Sequence, residues 1–96
     1  MFLNKYLDEF YYNLLLDTYE EEYLNDLDEE NFIKIYNLFN EHNVYFINDI
    51  ILNYIEIFFM DVQIVQDGFI SLKEKLGDNY INIIGNDMKY LQEIIG

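Results

Sequence analysis

Apolar side chains recur at three- and four-residue steps through nearly the whole chain, the spacing that gathers them on one face of an α-helix. Leu3, Tyr6, Leu7, Phe10, Tyr11, Leu14 and Leu15 form the first such stripe and predict a helix buried on that side. Thr18-Tyr19-Glu20-Glu21 has the form of a capping box, which predicts a short second helix starting there. Asp28 is placed to cap a third, with Glu29 and Glu30 in the first turn, where the helix dipole favours negative charge. Phe32, Ile35, Tyr36 and Phe39 are its inward stripe, and Asn43 is its left-handed stop. Ile47, Ile50, Ile51, Tyr54, Ile55 and Phe58 then predict a central, most buried helix. Asp61 caps another, with Val65, Phe69, Leu72 and Leu76 inward and Gly77 as terminator. Gly68 inside it costs about 1 kcal/mol against Ala and argues against a straight helix there. Asn79, or Asp78 before it, starts a short helix through Ile84, broken at Gly85. Asn86 then caps the last one, which carries Met88, Leu91, Ile94 and Ile95.

Proline is absent and only four Gly occur, so hairpin turn signals are missing. The β-branched content favours strands, but the three-four spacing outweighs it. The expected fold is all-α, a compact bundle of about five to seven short helices in one domain spanning 1–96. The segment from Leu38 to Asn48 also echoes that from Leu72 to Asn82, 34 residues on, each followed by an Ile-Ile pair (Ile50-Ile51 and Ile83-Ile84). Leu27-Asp28 and Met60-Asp61 stand 33 apart, and Tyr11 to Leu15 is a fainter copy. The bundle is therefore open to a reading as two to three stacked helical hairpins of 33–34 residues. Over Tyr45 to Leu91 this layout is loosely similar to the repeats of the mitochondrial transcription termination factor family, through hydrophobic spacing and the Leu72-to-Gly77 helix end. The proline typical of that repeat and its basic nucleic-acid-binding concavity are missing, so the resemblance implies no function.

Charge changes the picture most. Nineteen acidic residues stand against five basic ones, all Lys, for a net charge of −14. Direct phosphate binding needs clustered Lys and Arg, so a nucleic-acid-binding protein is an unfavoured reading. The chain is rich in Ile, Asn, Tyr and Phe, whose codons are A/T-rich, yet Lys, with equally A/T-rich codons, is scarce. Positive charge thus reads as kept out for a reason. Without Cys there is no disulfide, thiolate nucleophile or cysteine-ligated zinc. The N-terminus lacks the basic start and cleavage site of a signal peptide, and no stretch approaches a membrane span. An anionic bilayer would repel the chain, so the expected location is cytoplasmic, with no membrane partner.

The acids are unevenly placed: Asp17 to Glu30 carries eight and no base. Such a run is either a solvated face or a docking surface for something basic, since its self-repulsion costs stability. Carboxylates three or four residues apart on a helix repeat about every 5–6 Å, comparable to phosphates along a nucleic-acid strand. The expected contact residues are Glu20, Glu21, Glu22, Asp26, Asp28, Glu29 and Glu30, with Tyr19 and Tyr23 as amphipathic anchors. The expected partner is a basic protein, a nuclease or another nucleic-acid-handling protein, blocked through its groove with no direct nucleic-acid contact. In size, charge and A/T-rich origin the chain resembles phage anti-CRISPR and anti-restriction inhibitors. An immunity protein or antitoxin against a basic toxin, and a structural helical-repeat module, are the alternatives. Adjacent aromatics at Tyr11-Tyr12 and Phe58-Phe59 cannot both face one core, which leaves a homodimer open.

Catalysis has little support. His42 is the only His, near a helix C-terminus, where a capping or surface role is expected. Ser71 and Thr18 are the only hydroxyls of their kinds, and neither has a His in a suitable context. Asp26, Asp28 and Glu30 alternate but lack the Gly and Glu of a calcium loop. Counting alone leaves a glycosidase-type carboxylate pair open, but so small a chain has little room for a deep pocket. The expectation is a non-enzymatic protein with no catalytic residues, no metal site and no cofactor.

Overall fold

The computed structural model describes every residue from Met1 to Gly96 and contains no strand. Seven α-helices follow one another: α1 (Glu9–Thr18), α2 (Glu21–Asn25), α3 (Glu29–Glu41), α4 (Ile47–Asn53), α5 (Val62–Leu76), α6 (Tyr80–Asn86) and α7 (Gln92–Ile95). Three 3-10 turns, Phe2–Lys5, Ile55–Phe59 and Met88–Leu91, complete the bundle, which measures 37 × 24 × 22 Å. The all-α expectation holds. No helix is long and apolar enough to cross a membrane.

The caps at Asp28 and Asp61 are as the sequence indicates. Asp28 accepts from the Asn31 amide at 3.0 Å and Asp61 from that of Gln63 at 2.8 Å. Asn43 (φ 62°) and Gly77 (φ 85°) supply the left-handed stops after α3 and α5. Four fully buried Phe rings, Phe32, Phe58, Phe39 and Phe69, run in contact through the centre at 4.7, 5.5 and 5.3 Å. The buried core contains no charged or polar residue.

Five local expectations need correction. The first stripe is divided, because Phe2–Lys5 is a 3-10 turn and Asp8 starts α1 afresh, accepting from the Tyr11 amide at 2.9 Å. The register shifts, and Phe10 is 67% exposed rather than inward. Thr18 caps nothing: it ends α1, with its hydroxyl donating to the Leu14 carbonyl, and Glu20 precedes α2 without a side-chain cap. The central helix stops at Asn53, whose amide donates back to the Asp49 carbonyl, and Tyr54 turns the chain into the 3-10 segment Ile55–Phe59. Gly85 lies inside α6 rather than breaking it, packed where a Cβ would sit 3.0 Å from the Phe46 ring. The next element opens on Asp87, which accepts from the Lys89 amide, rather than on Asn86.

The sequence echo has a structural counterpart. α3, α4 and Ile55–Phe59 are followed, 33 residues later in each case, by α5, α6 and Met88–Leu91. The joints also match: Asp28 and Asp61 cap, and Tyr54 (φ −137°) and Asp87 (φ −142°) make the same break. The long helices α3 and α5 pack side by side, as stacked repeats require.

Candidate functional site

The chain leaves α1 through two extended residues, Tyr19 (ψ 146°) and Glu20 (ψ 142°), and then winds into α2. Buried Leu24 and Leu27 anchor this short helix from beneath, which turns Glu21, Glu22 and Tyr23 outward. The Tyr19 and Tyr23 rings stack at 5.8 Å and 27°. Phe59 continues the ladder, 5.0 Å from Tyr23 at 31°. Adjacent residues diverge here as the sequence requires: Phe58 is fully buried against Phe32, while Phe59 is 37% exposed. The 3-10 turn that carries Phe59 is fastened to α3 by Asn31, whose amide donates to the Phe58 carbonyl at 2.8 Å and to that of Met60 at 2.9 Å. The ladder is therefore held between two anchored elements.

Carboxylates surround it. Glu22 and Asp26 stand four apart, on and just past α2, which carries Tyr23. Half-buried Glu56 lies close enough to raise both phenols: burial lifts Tyr19 and Tyr23 above the ordinary tyrosine value, and the Glu56 charge adds to it. For Tyr19 the Ile55 backbone opposes that shift. Only two carboxylates in the molecule have a basic partner, Glu29 with Lys5 at 3.7 Å and Glu93 with Lys75 at 3.0 Å. Glu20, Glu21, Glu22, Asp26 and Glu56 have none, so no ion pair offsets the negative charge of this stretch.

Of the nine expected contact residues, α2 and the segment leading into it bring together Tyr19, Glu20, Glu21, Glu22, Tyr23 and Asp26. Asp28, Glu29 and Glu30 sit apart, at the start of α3. There Asp28 is occupied as a cap and Glu29 meets Lys5. Sequence reasoning missed Phe59 and Glu56 as members of the face. The Phe58-Phe59 pair already implied one exposed ring, but nothing local indicated that it would join Tyr23.

A second polar locus lies at the far end of α3. His42, the C-terminal cap of that helix, is half-buried, with Nδ1 2.6 Å from the Tyr80 hydroxyl and Nε2 3.1 Å from the Gln66 Oε1. The amide oxygen takes the Nε2 proton, so Nδ1 accepts from the phenol. The His pins α3 to α5 and α6, and burial raises the Tyr80 phenol above its ordinary value. An open groove of about 610 Å³, lined by Lys73, Asp78 and Asn82 among others, lies beside them. Both ring nitrogens are engaged within the fold, and neither Ser71 nor Thr18 is bonded to His42. Nowhere do three His, Asp or Glu side chains converge closely enough to hold a metal ion. Comparison with protein-family models, curated proteins and solved structures finds no match for the chain.

Proposed function

We propose that this protein binds the basic groove of a nucleic-acid-handling protein and blocks it, without chemistry of its own. What supports the reading is one juxtaposition: an aromatic ladder of half-buried Tyr19 and exposed Tyr23 and Phe59, beside carboxylates that no Lys of the chain pairs with. The rings offer rigid amphipathic area of the kind that interfaces use as anchors. The unpaired charge steers encounter with a cationic surface and competes there with phosphate. Self-repulsion among these acids lowers stability, so their retention fits a role in contact.

Capture from host lysate tests this, with immobilised protein washed at about 0.05 M and at about 0.5 M salt, where screening shortens the reach of surface charge severalfold. The expected result is a basic protein that is held only at low salt, released by added DNA or RNA, and lost with Glu21→Lys/Glu22→Lys. Retention through both the salt step and the charge reversal refutes the mechanism. In that case the 33-residue recurrence of α3–α4 in α5–α6 favours a structural repeat module that works by apolar contact.

A further inference from the structure

We propose that the Tyr19–Tyr23–Phe59 ladder is a receiving site for arginine side chains, so that the partner's contacting segment is arginine-rich rather than lysine-rich. This rests on the reading of the face as a binder of basic surfaces and adds the side chain that it selects. Neighbouring rings are inclined by 27° and 31°, at 5.8 and 5.0 Å. The parts of Tyr23 and Phe59 that the stack leaves uncovered, 39% and 37% exposed, offer flat, electron-rich surface to a planar cation. A guanidinium is flat, weakly hydrated and stacks on aromatic faces, whereas an ammonium is a compact, strongly hydrated point charge.

The carboxylates complete the fit. Glu56 is half-buried beside both phenols, with no ion-pair or hydrogen-bond partner from the chain. A free carboxylate near aromatic rings can accept the two parallel N–H groups of a guanidinium that stacks on them. Glu22 and Asp26, four residues apart and exposed on the same short element, add unpaired negative charge for the partner's other cations. The chain supplies no cation of its own to the ladder. It contains no Arg, and its ring-facing lysines are elsewhere: Lys73 over Tyr80 at 5.9 Å and Lys75 over Tyr90 at 5.7 Å. The complementary charge must come from a partner.

Two short synthetic peptides, identical except for Arg or Lys at every basic position, are titrated into the full chain by calorimetry at about 0.15 M salt, where long-range charge is screened. The expected result is that the Arg peptide binds at least about tenfold more tightly, a preference of the size that desolvated stacking plus bidentate pairing supplies. Tyr23→Leu and Glu56→Gln each bring the ratio close to one, with circular dichroism confirming that both variants remain helical. Equal, salt-dependent binding of both peptides by the wild-type chain overturns the arginine assignment and leaves the proposed function standing. No binding of either peptide, even at low salt, overturns both.

Discussion

Replacing Asn31 by Ala removes the one side chain that fastens the 3-10 turn Ile55–Phe59, and with it Phe59 of the ladder, to α3. Two hydrogen bonds disappear, to the Phe58 carbonyl at 2.8 Å and the Met60 carbonyl at 2.9 Å. No backbone N–H donates to either oxygen. At about 1–1.5 kcal/mol for each bond, the loss is about 2–3 kcal/mol, with some return where water reaches the half-buried site. A chain of this length has about 5–14 kcal/mol of total stability, so the change is large. Urea unfolding followed by far-ultraviolet circular dichroism measures it, with thermal melting as a check, where a drop of about 10–20 °C is expected. Asn31→Asp goes further, because it points a carboxylate at two carbonyls. That carboxyl takes up a proton more readily in the folded chain than in the unfolded one, so its folded pKa is raised. The Asp variant therefore regains stability as pH falls through the carboxylate range and loses it above. An Asn31→Ala variant within about 0.5 kcal/mol of wild type, the scatter of ordinary surface substitutions, refutes the reasoning.

Other outcomes follow from the same geometry. A Cβ on Gly68 would lie 2.7 Å from Ile94 Cγ1, so Gly68→Ala destabilises by about 1–3 kcal/mol through overpacking of α5 on α7; in an Ile94→Ala background, which lacks both crowding γ-carbons, the same substitution costs less in the same urea assay. Glu21→Lys/Glu22→Lys leaves unfolding stability unchanged or higher, because it relieves repulsion, while abolishing partner capture; a loss of stability above about 1 kcal/mol contradicts that separation. Glu56→Gln lowers the ionisation of Tyr19 and Tyr23 toward 10.0, seen by ultraviolet titration against a Tyr23→Phe control. Since both phenols are raised in the folded chain, stability holds below pH 10 and falls as pH rises through their folded values.

The long helices were legible because cap, stripe and stop agreed at each: Asp28 with Phe32 to Phe39 and Asn43, and Asp61 with Val65 to Leu72 and Gly77. Where the apolar spacing ran on without such punctuation, as from Ile47 to Phe58, it concealed a break at Tyr54 that the Asn53 side chain and tertiary packing impose. Thr18 misled because its hydroxyl found the Leu14 carbonyl one turn back, a bond a Thr makes as readily as a cap. Part of the face could be read from one contiguous run, since Tyr19, Glu22, Tyr23 and Asp26 lie close in sequence, although Tyr19 reaches Tyr23 through extended backbone and not along a helix. Phe59 and Glu56 could not. They reach the ladder through a long-range contact that Asn31 enforces, and a local pattern carries no record of it.

The most direct measurement is a nuclear magnetic resonance map of the chain as the captured basic partner is added. Shifts concentrated on Tyr19 to Tyr23, Asp26, Glu56 and Phe59, fading as salt rises, are the result this account requires. Shifts centred instead on the exposed outer face of α5 around Ile64 and Ile70, unchanged by salt, contradict it.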